Sequence, residues 1–368
     1  MTFFDFLIII GALGFFIYGM KVMSDGIQKV AGSKMRNILS SMTSNRFLGI
    51  TTGFLITALL QSSSATTVMT VSFVNAGLLS LVESIGVIMG ANIGTTITAW
   101  LISILGFKIK ISTIALPIIA VGFPLMFSKK SNIKAWAEVL IGFALLFMGL
   151  DELKHAVPDL KQNPGFLSFL ADYADKGYFS TIIFIGVGTI LTLVVQSSSA
   201  AMALTLVMCF EGYIPFELAA AMVLGENIGT TITANLAALV ANVHAKRAAR
   251  AHFIFNVFGV IWMIIAFPFV IELIDQYMTN YMGMSPLNPE DKSATVPLGL
   301  SIFHTTFNIF NVLLLVGFVP FMSKIATSLV KSKGDADEEF KLDYISAAGI
   351  ALPEVAILEA KKEVAKFG

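Results

Sequence analysis

Gln61-Ser62-Ser63-Ser64-Ala65 is written twice in this chain, the second time from Gln196 to Ala200, and each copy interrupts apolar sequence. A second polar block, Asn-Ile-Gly-Thr-Thr-Ile-Thr-Ala, begins 31 residues after each and runs from Asn92 to Ala99 and from Asn227 to Ala234. One offset of 135 residues superimposes both pairs without a gap. The polar side chains are Gln, Ser, Thr and Asn, all neutral and all able to donate and to accept hydrogen bonds. Their donors can surround an oxyanion, and their oxygens can coordinate a hard cation such as Na⁺. Neutral groups alone hold a multivalent anion poorly at low dielectric, whereas a cation bound beside it lowers the charge being buried. The expected chemistry is therefore joint binding of a small anion and a cation.

Three further features bear on such a site. Glu226 stands where the first copy has Ala91. A carboxylate at membrane depth is a functional candidate, and it reads equally well as a structural partner for a nearby donor. His252-Phe-Ile-Phe-Asn256 and His304-Thr-Thr-Phe-Asn308 repeat a His and an Asn four apart, on one helix face. They could form a second shell or a cation site, but interhelical hydrogen bonding is the favoured reading. The polar blocks have a packing reading too, since Gly86, Gly90 and Gly94 form a small-xxx-small ladder. Two copies of two blocks at identical spacing favour a site over packing.

These blocks must be held by elements that live in lipid. Of the 368 residues, 56% are hydrophobic and 13% charged, and mean hydropathy is +0.82. Soluble domains carry about 25% charged residues, so this chain reads as an integral membrane protein. A spanning helix needs roughly 20 mostly apolar residues. Apolar runs fall at 3–23, 111–128, 135–150, 251–273 and 296–322, with long interrupted regions at 47–106 and 178–243. Breaks are expected at Gln61–Ser64, Gly77, Asn92–Thr96, Gln196–Ser199, near Pro215 and at Asn227–Thr231. Polar loops are expected at 24–46 and 151–177, with His244 to Arg250 closing the second interrupted region.

Loop charge then suggests orientation. The basic loop 24–46 reads as cytoplasmic and the acidic loop 151–177 as external, so equivalent loops of the two copies fall on opposite sides. The fold class expected is an all-α integral membrane protein of two inverted-topology repeats with broken helices or helical hairpins. Residues 1–135 and 136–275 would be the repeats. Residues 276–330 would hold an external loop and the last spanning helix, and 331–368 a cytoplasmic tail. The N-terminus would be external, with residues 3–20 a retained helix rather than a cleaved leader. Irregular backbone survives in hydrocarbon only where it lines a cavity or is buried in protein, and inverted repeats with broken helices are a recurring transporter architecture.

Paired Gln-Ser-Ser-Ser motifs, each followed by Asn-Ile-Gly-Thr-Thr, resemble the type II sodium–phosphate cotransporter family in its bacterial form, over about residues 5–325. The resemblance implies Na⁺-driven import of inorganic phosphate across the cell membrane by alternating access, with no organic cofactor. Carried onto this chain, the phosphate site would use Gln61, Ser62, Ser63, Ser64, Gln196, Ser197, Ser198 and Ser199 with Asn92 and Asn227. Na⁺ would be held by Ser64, Thr95, Thr96, Ser199, Thr230 and Thr231. Electrogenic animal members resemble one another in an acidic residue on the helix after the first Asn-Ile-Gly-Thr block, and Ile111 to Phe127 contains none. Residues 353–368 resemble the opening helix of the PhoU-like domain fused to some bacterial members. Beyond phosphate, Na⁺ and the lipid bilayer, the partners to look for are a second copy in a homodimer and a cytoplasmic regulatory contact through this tail.

Other classes fit less well. Zero net charge gives no reason to expect a nucleic-acid partner. No Ser-His-Asp spacing, metal cluster or phosphate-binding Gly-rich loop stands beside the Ser triplets, so an enzyme is not expected. Cys209 is the one cysteine and cannot form an intrachain disulfide. The rival transport readings are a Na⁺-coupled symporter of another oxyanion such as sulfate, and an anion channel.

Overall fold

The computed structural model describes residues 3–40, 45–109, 111–156, 173, 177–288 and 295–332. Among them there are helices and turns and no strand. The first half holds α1 (Phe3–Ser40), α2 (Arg46–Leu60), α3 (Ser63–Asn75), α4 (Leu81–Leu101), α5 (Ala115–Leu125) and α6 (Ser131–Ala156). The second half holds α7 (Tyr178–Val195), α8 (Ser198–Phe210), α9 (Phe216–Gly229), α10 (Thr231–Ala237), α11 (Val243–Met282), α12 (Thr295–Leu315) and α13 (Val319–Leu329). Among the described residues, six helical stretches are long and apolar enough to cross a membrane.

The same device is built twice. A helix ends at Gln61 or Gln196, a new helix starts at Ser63 or Ser198, and after a turn a third helix packs back against the first. At 15 and 13 residues, α2 and α3 rise roughly 20 Å each and are too short to cross a bilayer alone. Ser80 and Glu83 form a reciprocal capping box that starts α4 cleanly after the turn.

Glycine sets how closely the hairpin arms approach. A Cβ on Gly53 would lie 2.0 Å from the Val87 carbonyl oxygen, and one on Gly90 would lie 1.9 Å from that of Ile50. In the second copy a Cβ on Gly188 would lie 2.1 Å from the Met222 oxygen, and one on Gly225 would lie 2.0 Å from that of Ile185. Gly94 against Thr57 and Gly229 against Thr192 repeat the relation a turn further on. All six positions obey the offset of 135. Of the ladder read at Gly86, Gly90 and Gly94, the last two are therefore packing positions repeated in both hairpins, as Gly225 and Gly229 in the second. The helices α1 and α6 cross as tightly, with Gly19 against Leu146 and Gly142 against Met23.

Several expected breaks and loops are helical instead. Asn92 to Thr96 does not interrupt α4, and Thr95 and Thr96 satisfy their hydroxyls within it, donating to Ala91 O (3.1 Å) and Ile93 O (2.8 Å). The second copy departs from regular helix only at Thr230, between α9 and α10. The expected loop at 24–46 is largely the continuation of α1 to Ser40, where Lys29 pairs with Glu138 of α6 at 2.5 Å. At the second expected loop α6 continues to Ala156, and Lys154 is held by the Gly106 carbonyl and the Phe107 ring. His244 to Arg250 form the first turns of α11, which Asn242 caps. Residues 353–368, with their resemblance to a PhoU-like helix, lie outside the described residues.

Candidate functional site

Each Gln-Ser-Ser-Ser motif is a helix end joined directly to a helix start. Gln61 and Gln196 adopt φ 52° and 53°, and among the described residues they are the non-glycine positions in the left-handed region. This conformation costs an L-residue about 1–2 kcal/mol and lets the chain reverse into a new helix within two residues. Ser62 and Ser197 are the N-caps, their Oγ atoms accepting from Ala65 N (3.1 Å) and Ala200 N (3.3 Å). The first-turn N–H groups of Ser63, Ser64, Ser198 and Ser199 have no acceptor within their own helices. Ser24 of α1 donates to the Leu60 carbonyl at 2.7 Å and so satisfies one of the orphaned acceptors at the end of α2.

Both breaks open on one cavity of about 310 Å³. It is lined by Gln61, Ser62, Ser63 and Ser64 together with Gln196, Ser197, Ser198 and Ser199. The N-termini of α3 and α8 therefore meet across a shared space, each bringing unpaired N–H groups and a partial positive charge. Hydroxyls, amides and helix N-termini converging in this way can donate hydrogen bonds to an anion.

Beside it lies a much smaller chamber, about 10 Å³, lined by Ser63, Asn92, Thr95, Ser198, Glu226, Asn227, Thr230 and His304. Its size suits one water or one small ion, since a single water needs about 10–15 Å³. Ser63 with Ser198, Asn92 with Asn227, and Thr95 with Thr230 are pairs related by the repeat offset. Glu226 and His304 are the two departures from that symmetry. Asn92 and Asn227 thus line the small chamber, whereas the Ser triplets and both glutamines line the large cavity.

Other sequence candidates are placed differently. Thr96 and Thr231 are buried and donate within their own helices, Thr231 to Ile228 O at 2.7 Å, and neither lines a cavity described here. Asn256 joins two helices, accepting from Asn92 Nδ2 at 3.2 Å while its own amide donates to His252 O. That is the interhelical bonding favoured for this motif, but His252 takes no part in it through its ring nitrogens. Asn308 donates back to His304 O at 2.9 Å and leaves the chamber to His304.

Several participants escaped the sequence reading, Ser24 among them. Lys21 and Asp25 of α1 line the large cavity, so its lining is not wholly neutral. Nothing in the repeated blocks points to them, because α1 lies upstream of both. Thr98 donates to Gln61 Oε1 at 3.0 Å, and Thr205 to Glu226 Oε1 at 2.7 Å. Thr98 does belong to a repeated block, and its place in the repeat was the available signal.

Apolar helices, paired broken hairpins and an internal polar cavity between them define a multi-pass membrane transporter. The chain belongs to the Na⁺/Pi-cotransporter family, which it matches over residues 15–155 and 170–285. It is 27% identical over 98% of its length to YjbB of Salmonella typhimurium, a protein named for inorganic phosphate export, and spans 62% of that relative. It is 30% identical to YqeW of Bacillus subtilis over 67% of this chain and 77% of the relative, and 39% identical to human sodium-dependent phosphate transport protein 2B over 27% of this chain and 15% of the relative. The chain thus spans less than two thirds of the length of the YjbB relatives it matches. No solved structure matches it.

Proposed function

We propose that the protein is a Na⁺-coupled transporter of inorganic phosphate, working by alternating access around the large cavity. The observation that carries this reading is the convergence of both Gln-Ser-Ser-Ser breaks on that cavity. Phosphate binds between the first turns of α3 and α8. The hydroxyls of Ser63, Ser64, Ser198 and Ser199, the capping serines Ser62 and Ser197, and the amides of Gln61 and Gln196 complete its surroundings. Na⁺ binds next to it, with Ser64, Ser199, Thr95 and Thr230 as the candidate hydroxyl ligands, so that less net charge is buried with the anion. The two halves are inverted repeats in the cell membrane, with the tail in the cytoplasm.

Under an inward Na⁺ gradient, symport drives phosphate into the cell. The name of the YjbB relatives favours a second reading, in which the same cavity serves phosphate export. Radiolabelled phosphate flux through proteoliposomes, measured with inward, outward and no Na⁺ gradient, separates the two. Symport requires net flux to follow the Na⁺ gradient in sign. Flux indifferent to Na⁺ would favour a channel or a differently coupled exporter, and competition by sulfate equal to that by phosphate would overturn the substrate assignment.

A further inference from the structure

The hydrogen bonds around the small chamber have a direction. Asn227 donates an amide N–H to the Val223 carbonyl at 2.9 Å, and among the described residues no donor reaches its Oδ1. Asn256 must donate to the His252 carbonyl (3.1 Å), so its Oδ1 turns to Asn92, and Asn92 must in turn donate. The Thr95 hydroxyl proton is committed to Ala91 O at 3.1 Å. Backbone carbonyls can only accept, so these orientations follow from the chain itself. Asn92, Asn227 and Thr95 therefore each keep an oxygen for the chamber they line.

Glu226 adds a carboxylate to this set. It is buried, its hydrogen bond comes from the neutral Thr205 hydroxyl, and among the described residues no Lys or Arg pairs with it. A buried carboxylate without a cationic partner is costly unless an ion or proton compensates it. Oxygen acceptors, a carboxylate and room for about one small ion match a hard monovalent cation, with Ser63, Ser198, Thr230 and His304 completing the lining.

Resting on the Na⁺-coupled reading above, we infer that this chamber is a cation site whose anionic ligand is Glu226, set between the two repeats and sharing Ser63 and Ser198 with the phosphate cavity. The cation held there neutralises Glu226 as well as organising the two serines. Thr205 is a positioning residue: its 2.7 Å bond holds one carboxylate oxygen and leaves the other for the ion.

The test uses purified full-length wild-type protein and the Glu226→Gln, Glu226→Asp and Thr205→Val variants, with NaCl replacing choline chloride at constant ionic strength. Wild-type Tm is expected to rise with Na⁺. Glu226→Gln should lose that rise and Glu226→Asp should keep it at higher Na⁺. In proteoliposomes, the Na⁺ concentration for half-maximal phosphate flux should increase about tenfold or more in Glu226→Gln, the scale of one lost charged ligand. Thr205→Val should move it in the same direction by less. If Glu226→Gln does not fold, Thr205→Val and Glu226→Asp carry the same readouts. Variants whose Tm and flux follow Na⁺ as wild type does would overturn the inference while leaving Na⁺ coupling intact. A wild type that responds to Na⁺ in neither assay would overturn the coupled reading itself.

Discussion

Ser63 and Ser198, equivalent residues of the two copies, each line both the large cavity and the small chamber. Each is the first residue of a helix, so its hydroxyl and its unpaired N–H sit at the junction of the two spaces. A group that touches both ions is the simplest physical route for one to alter the affinity of the other, and that effect is reciprocal.

Ser63→Ala and Ser198→Ala should therefore each lower phosphate flux by about tenfold or more, since a hydrogen bond to a charged group contributes about 1.5–3 kcal/mol. Flux normalised to folded, monodisperse protein is the measurement. Retained flux in both variants would assign the triplets to packing alone.

Gln196→Gly separates strain from function. Glycine accepts φ 53° without penalty, so thermal stability should hold or rise by about 1 kcal/mol while transport falls with the lost amide. The corresponding change at Gln61 is less clean, because Thr98 holds its side chain. A Gln196→Gly protein with full activity would remove the amide from the site.

Gly188→Ala should destabilise the second hairpin by roughly 1–3 kcal/mol or more, since its Cβ would lie 2.1 Å from a backbone oxygen. Gly186→Ala, two residues away with nothing within 4 Å of the added Cβ, should be neutral or stabilising. Equal unfolding temperatures for the two variants would contradict the close crossing.

Lys21→Gln should raise the phosphate KM about twofold to fivefold and weaken its dependence on ionic strength, because an exposed cation at the cavity acts through screened attraction. Initial rates over a phosphate series at two salt concentrations measure both. An unchanged KM would place Lys21 outside the anion's reach.

The sequence made much of this legible because the device is duplicated. Copies at one offset identify Gln61 and Gln196 as equivalent without any structure, and the polar residues between apolar runs locate the helix ends. Periodicity could not show that Asn92 to Thr96 stays helical, since a threonine bonding its own helix and a threonine at a break look alike in sequence. Nor could it show that Asn92 and Asn227 fall in a different space from the Ser triplets, which depends on how the hairpins cross. Lys21 and Asp25 were hidden for a related reason. Lys21 falls at the end of an expected apolar helix and Asp25 in an expected loop, and only the packing of α1 beside α2 brings them to the cavity.

Phosphate and Na⁺ are expected to occupy adjoining spaces that share Ser63 and Ser198. Phosphate affinity of the purified protein, titrated calorimetrically with and without Na⁺ at constant ionic strength, tests it most directly. Na⁺ should tighten phosphate binding by about 5–150-fold, the usual range of coupling between linked sites, and phosphate should tighten Na⁺ binding by the same factor. Phosphate affinity independent of Na⁺ would contradict the account.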